Sequence, residues 1–464
     1  MTTPLAVTSH PKKITVEEVT SPCAPADVFK RLVGDGAFFL DSALNMEQDL
    51  ARYSFLGHEP FMVLKSRGRN ISIKDKSGTT EKEGNPFEEL RRLINSFKAQ
   101  GFSAPGIPFT GGAVGYLSYD LCHFIERLPT NTVDDIGFPD MYFGFYDRVI
   151  VYDHHEKRCL LAGRGAKDGL RHAVTAAHKG GPIESPTRKD NGKPAIESNF
   201  TRDGYLAAVR RVKEYIAQGD IYQVNLSQRF ETEITVPPHE LYMRLRAMNP
   251  APLSSYIQFD DKAVVSSSPE RFLRLRSGRV QTRPIKGTRP RGSDADSDDR
   301  LRAELINSPK DNAELTMIVD LERNDLGRVC NYGSVRVTCK NALETHPTVF
   351  HLGATVEGDL HARYDAVDLI KATFPGGSIT GAPKIRAMEI IDELEPTRRS
   401  VYTGAIGYIG FNGDMDLNIA IRTFLIKNSR AYFQVGGGIV ADSNPEGEYE
   451  ETLHKAKALI ESVA

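Results

Sequence analysis

The spacing of apolar positions changes along this chain. Before residue 180 the apolar residues come in short runs, such as Arg148-Val149-Ile150-Val151-Tyr152, which predict strands. Further on, Tyr205, Val209, Val212 and Ile216 recur at helical spacing, and Gly219 stands where a carboxy-terminal cap belongs. Ile221 to Phe230 then alternates like a strand. Ser308-Pro309 is a cap and first-turn pair for a helix running through Glu314, Met317 and Leu321. Leu417 to Ile426 and Arg430 to Val435 predict a hairpin around Lys427-Asn428-Ser429, and the last helix is expected from about Glu446 to Val463. Gly, Pro, Ser and charge cluster over 181–197 without apolar period, which predicts a linker or exposed loop. It would divide an amino-terminal region, 1–180, from a main body, 198–464.

Composition narrows the function classes. The chain has 464 residues, too many for one compact core, and 40% of them are hydrophobic. A net charge of -2, from 59 basic and 61 acidic residues, is not the footprint of a nucleic-acid binder. The five cysteines (Cys23, Cys122, Cys159, Cys330 and Cys339) are scattered and form no CxxC. That pattern disfavours a disulfide framework or zinc site and fits a reducing, cytoplasmic setting. Met1 to Thr20 lacks the apolar run of a signal peptide, and no stretch approaches the roughly 20 apolar residues that span a bilayer.

Several segments carry chemical potential. Lys286 lies in Gln281-Thr282-Arg283-Pro284-Ile285-Lys286-Gly287-Thr288-Arg289, where the residue types predict a sharp turn. A lysine on a turn is ordinarily a solvated charge. To act as a nucleophile it must be neutral, and from an ordinary pKa of ~10.4 only about one lysine in 2,500 is neutral at pH 7. Glu270 precedes Lys286 by one expected hairpin. The two could form a cross-strand ion pair, or equally an acid/base and nucleophile pair. The loop Phe374-Pro375-Gly376-Gly377-Ser378-Ile379-Thr380-Gly381-Ala382-Pro383-Lys384 lacks the Walker spacing, but its free N–H groups suit an anion as well as they suit a tight turn. Gly436-Gly437-Gly438 is a second such loop. Arg422, expected inside an apolar strand, needs either a structural salt bridge or a bidentate carboxylate ligand. Glu448, Glu451 and Lys455 share one face of the last helix. Two carboxylates there suit a cation such as Mg2+, with Glu314 available from across a cleft.

Taken in order, these segments resemble the chorismate-utilising enzymes, which include anthranilate synthase component I, aminodeoxychorismate synthase component I, and the isochorismate and salicylate synthases. The resemblance covers Asn199 to the end. It rests on Gly219 to Val224, Ser268 to Phe272, Met317 to Arg328, the Gly376 loop, Tyr402 to Tyr408 and Gly436 to Glu451. A looser match covers Asp41-Ser42, Arg52 to Gly57 and Gly111 to Tyr116. The resemblance implies an α/β (α+β) architecture of two large, mainly antiparallel sheets packed face to face with helices outside. The amino-terminal region would be interwoven with that body.

Within the family the position of Lys286 discriminates. Anthranilate synthases typically carry Ala there; aminodeoxychorismate synthases typically carry Lys. The resemblance then implies that Lys286 attacks C2 of chorismate, with Glu270 as general acid/base and Thr288 and His351 beside them. It gives Arg422, Gly436, Gly437, Tyr402, Gly377, Thr380 and Lys455 to the substrate, and Glu314, Glu451 and Glu448 to a Mg2+ cofactor. No cysteine sits in a Gly-x-Cys-x-Gly turn, so a separate glutamine amidotransferase subunit is expected to supply ammonia. A downstream pyridoxal-phosphate lyase would complete 4-aminobenzoate for folate. The rival readings are an anthranilate synthase component, a dual-pathway enzyme, or a non-catalytic regulatory subunit. Asn249-Pro250-Ala251-Pro252-Leu253 and Asp41 depart from the tryptophan-inhibited pattern and argue against ordinary tryptophan feedback.

Overall fold

The local signals act where they stand. Ser308 accepts the Asp311 N–H at 3.2 Å and caps helix Pro309–Gly327, with Pro309 in the first turn. Gly219 closes helix Arg202–Gln218 at φ +85°, a conformation that favours glycine. Asn444 caps helix Pro445–Val463 through the Gly447 N–H at 3.0 Å. The alternating run after Gly219 becomes strand Gln223–Glu233.

The computed structural model describes residues 14–19, 23–44, 49–98, 104, 106–165, 167–180, 195–346 and 349–464. The expected linker lies, over 181–194, outside the described residues. It is flanked by helix Asp168–Lys179 and strand Glu197–Ser198.

Two 12-stranded sheets organise the molecule, and their ladders are antiparallel. In the first, Phe38–Asp41 pairs with Leu253–Phe259. The sheet continues through Lys262–Ser268, Thr423–Lys427 and Arg430–Ile439 to Gln223–Glu233. In the second, Gly112–Leu117 pairs with Ala405–Gly410. That sheet runs through Met415–Ile419, Arg271–Arg276, Arg279–Arg283 and Val349–Asp359 to Ile285–Pro290 at the edge. The facing surfaces share one core, in which Phe55, Val151, Ile257 and Leu425 of the first sheet meet Val114, Tyr142, Ile406 and Tyr408 of the second. Helices bury the outer faces. Pro238–Met248 and Pro445–Val463 lie on the first sheet, and Pro86–Lys98 and Pro309–Gly327 on the second. This is the α+β sandwich with external helices that the resemblance implied. No helix among the described residues is long and apolar enough to cross a membrane.

Two expectations are corrected. Leu417 to Ile426 is not one strand. The chain leaves the second sheet after Ile419 and enters the first at Thr423, so the hairpin around Asn428-Ser429 joins Thr423–Lys427 to Arg430–Ile439. Arg422 therefore sits in the crossover rather than inside a strand, with a left-handed backbone at φ +52°. The expected turn at Lys286 is instead the edge strand Ile285–Pro290. Its register slips between Lys286 and Thr288, where Gly287 takes φ +73° as a bulge. A Cβ on Gly287 would come within 2.8 Å of Leu305 Cδ1, so the bulge also needs glycine for space.

Candidate active site

Two chain crossovers meet side by side and carry two of the predicted residues. Glu270 lies where the chain passes from Lys262–Ser268 to Arg271–Arg276, and Arg422 where it passes back. Three hydrogen bonds lock the crossovers together. Ile419 N–H donates to Glu270 O at 3.0 Å, Ser267 N–H to Arg422 O at 3.1 Å, and Ser268 Oγ to Ile419 O at 2.6 Å. Lys286 comes from the edge of the second sheet, and its amine reaches the first: a Cβ on Gly438 would stand 3.5 Å from Lys286 Nζ. Glu270 and Lys286 were candidates for facing strands. Their strands do not pair, since Ile285–Pro290 pairs with Val349–Asp359. They meet instead through Ser378, whose Oγ donates to Glu270 Oε1 at 2.5 Å and whose carbonyl accepts from Lys286 Nζ at 3.2 Å.

The electrostatics suit a neutral amine beside a protonated acid. Lys286 is half-buried as a residue, and its amine donates to the Ser378 carbonyl. Burial pushes its pKa below the ordinary lysine value and the Lys455 ammonium adds to that, against the carboxylates of Glu314, Glu270 and Glu451. Glu270 is buried, and burial pushes it up to about 7 against the Ser378 hydrogen bond and the Lys286 charge. Burial lowers Arg422 to about 10, with Glu270 opposing. Among the described residues its guanidinium has no ion-pair partner. His351 stands opposite Thr288, with Nδ1 3.0 Å from Thr288 Oγ1. Its Nε2 is buried with no protein partner among the described residues. Burial, Arg422 and His346 hold this imidazole neutral, well below the usual histidine range.

The acidic side of the site comes from two helices. Glu314 projects from Pro309–Gly327, and Glu448 and Glu451 from Pro445–Val463. A Cβ on Gly437 would lie 3.2 Å from Glu448 Oε2 and 3.4 Å from Glu451 Oε1, so both carboxylates converge on the Gly436–Gly438 backbone. Burial raises Glu314 and Glu448. Burial would raise Glu451 as well, but Lys455, with help from Lys310 and Lys286, outweighs it and holds that carboxyl low. Lys455 Nζ pairs with Glu451 at 2.7 Å and donates to Gly436 O at 2.9 Å. No three His, Cys, Asp or Glu among the described residues form a closed metal cluster.

Not every predicted residue points at this centre. The Thr380 hydroxyl donates to Gly376 O within its own loop. Gly377 N–H is taken by Glu322 Oε1 at 3.1 Å. Buried Tyr402 lies against Arg399, 5.8 Å from its ring, in a layer where Arg399 and Glu395 form a buried ion pair at 2.7 Å. Two residues at the centre were not picked out from sequence. Ser378 stood in a loop read for its backbone. Gln223 is fully buried, neither of its amide atoms has a protein partner among the described residues, and its Nε2 is 2.7 Å from the Gly438 Cβ position. Its signal was a polar residue facing inward on an otherwise buried strand.

Residues 47–461 match the family described as chorismate binding enzyme. The chain belongs to that family. It is 38% identical over 470 residues to anthranilate synthase component 1 of Acetivibrio thermocellus, covering 97% of this chain and 94% of the relative. It is 41% identical over 421 residues to aminodeoxychorismate synthase component 1 of Bacillus subtilis (strain 168), covering 88% of each. The crystal structure of anthranilate synthase component I from Streptococcus pneumoniae TIGR4 superposes with a TM-score of 0.78 at 34% identity, over 94% of this chain and 97% of that one. Relatives of both names lie at similar identity, so overall similarity does not choose between the two reactions within this chorismate-binding family.

A separate cavity is lined by Asp41, Arg52, Tyr53, Leu253, Arg271 and Asp416 among others. Asp41 is already engaged by Tyr242 Oη at 2.9 Å, Arg246 Nε at 2.6 Å and Ser54 Oγ at 3.2 Å.

Proposed function

We propose that this chorismate-binding enzyme is an aminodeoxychorismate synthase component that joins chorismate to Lys286 before ammonia displaces the lysine. One observation carries the reading: the Lys286 amine, made less basic by burial, lies one serine away from an acid that burial raises to about 7.

The steps balance. The neutral Lys286 nitrogen forms a bond to C2 of the cyclohexadiene. The ring double bonds shift, the C4–O bond breaks, and Glu270 supplies the proton that lets the hydroxyl leave as water. The lysine nitrogen passes its extra proton to the Glu270 carboxylate. Ammonia then bonds to C4 and gives up a proton, the double bonds shift back, and the C2–N bond breaks as the lysine nitrogen takes up a proton through Glu270, which returns the amine of Lys286. The sum is chorismate plus ammonia giving 4-amino-4-deoxychorismate plus water. Arg422, which has no ion-pair partner among the described residues, and the Gly436–Gly437 backbone suit the pyruvyl carboxylate, and Lys455 suits the ring carboxylate. Neutral His351, oriented by Thr288, offers its free Nε2 beside Arg422.

The converging carboxylates of Glu448 and Glu451, with Glu314 near enough to feel the charge of Glu451, fit a hard divalent cation. Mg2+ usually takes one or two carboxylates and completes its shell with water and substrate oxygens, so a closed cluster is not required. When bound, Mg2+ would neutralise the ring carboxylate and the charge that develops as the hydroxyl leaves. Ammonia is assigned to a separate glutaminase subunit, and the product to a downstream lyase.

The test is product identity. Wild-type enzyme with chorismate, Mg2+ and ammonium, followed by mass spectrometry, is expected to give 4-amino-4-deoxychorismate without pyruvate. Immediate anthranilate plus pyruvate would overturn the reading in favour of anthranilate synthase. No ammonia-dependent turnover would point to a silent binding subunit.

A further inference from the structure

Glu322 stands where packing alone would favour an apolar side chain. It lies on the inward face of helix Pro309–Gly327, among Leu315, Ile318, Val319 and Leu326, and is 2% exposed. Asp325 is one turn away on the same helix, and a second carboxylate in a buried site is costly. A Leu or Met would fill the space without that cost. The carboxylate instead makes a specific contact. Its Oε1 accepts the Gly377 N–H at 3.1 Å, and the Thr282 hydroxyl approaches Oε2 at 3.5 Å. The next residue is Ser378, which touches Glu270 through its hydroxyl and Lys286 through its carbonyl.

The loop is clamped to this helix at a second point. Lys384 Nζ pairs with Asp325 at 2.5 Å and donates to Thr373 O at 3.1 Å and Pro375 O at 2.9 Å. Between the clamps the backbone presses against the helix: a Cβ on Gly377 would lie 2.6 Å from Leu321 Cδ2 and 3.3 Å from Glu322 Oε1. The Lys384 clamp holds the start of the loop, the Glu322 contact holds the amide of Gly377 just before Ser378, and Arg399 Nη1 holds the Ile379 carbonyl just after it at 3.0 Å.

We infer that Glu322 is a positioning residue: by holding the Gly377 amide it fixes Ser378, and through Ser378 the relative placement of Glu270 and Lys286. The inference rests on the reading of Glu270 and Lys286 as the reacting groups. A misplacement of the order of 1 Å at reacting groups can cost about 100-fold in rate.

The test compares the full chain with Glu322→Met and Glu322→Gln, following chorismate consumption with Mg2+ and ammonium. Glu322→Met keeps the volume and removes the acceptor. It is expected to lower kcat by roughly tenfold or more while KM for chorismate stays within about twofold, with Tm no lower than wild type. Glu322→Gln keeps an acceptor for Gly377 N–H and is expected to rescue kcat to within about threefold. Glu322→Ala carries the same kcat and KM expectations, with a lower Tm because it leaves a cavity, and decides the matter if the methionine variant does not fold. Wild-type kcat in the variants lacking an acceptor would overturn the inference, as would an equal loss in the glutamine variant or a rise in KM that accounts for the whole effect. Anthranilate from the wild-type enzyme would instead defeat the functional reading, so the two failures are told apart.

Discussion

Lys286 must lose its proton to act, and Glu270 must keep one. Opposite shifts of the two pKa values meet both needs, because burial penalises the charged form of each. Lys286→Ala is expected to lower 4-amino-4-deoxychorismate formation by about 100-fold or more while chorismate affinity, measured by calorimetry, stays within about threefold. At fixed free ammonia, kcat is expected to rise as Lys286 deprotonates below the ordinary lysine range and to fall as Glu270 ionises near pH 7. Stability carries the same signature. The folded pKa of Glu270 lies above its ordinary 4.5, so its contribution is complete below that value and is lost as pH rises through about 7. Glu270→Gln should therefore be inactive yet melt higher than wild type at pH 8, by roughly 3 kcal/mol, with the gap closing toward pH 5. A gap that widens toward pH 5 would contradict the burial argument. Sequence pointed to both residue positions, but not to Ser378 or Gln223, because contacts between distant segments leave no local pattern.

Helices were the most legible elements. The last one was expected from about Glu446 and begins at Pro445, and its cap at Asn444 places Glu448 and Glu451 within the first two turns. Asn444→Ala is expected to cost about 1 kcal/mol of stability in denaturant titration and to raise the Mg2+ concentration for half-maximal rate. An unchanged Mg2+ requirement would detach that helix from the metal. The crossover at Arg422 was not legible. Leu417 to Ile426 is apolar throughout, and nothing in its period marks where the chain changes sheets; only the left-handed backbone at Arg422 and its pairing with the Glu270 crossover do. The bulge at Gly287 was read as a turn for a related reason, since Pro-x-x-Gly chemistry is common to both.

The sandwich as a whole was legible through family resemblance rather than periodicity, because a sheet order is a long-range property. Strands before residue 165 build one end of each sheet, inward from the edge strands Thr15–Val19 and Gly78–Glu83. Phe38–Asp41 pairs with Leu253–Phe259, and Gly112–Leu117 with Ala405–Gly410. A fragment of residues 195–464 would expose two long unpaired edges, and it is expected to show no cooperative thermal transition by circular dichroism. A sharp transition in that fragment would show that its strands fold alone. The reaction assigned to the intact molecule depends on a bond between Lys286 and the substrate ring, and mass spectrometry of enzyme quenched with chorismate and Mg2+ in the absence of ammonia tests it most directly. The account predicts a peptide containing Lys286 that is heavier by chorismate less one water, and that reverts when ammonium is added before the quench. An unmodified Lys286 in enzyme that still forms 4-amino-4-deoxychorismate would contradict it.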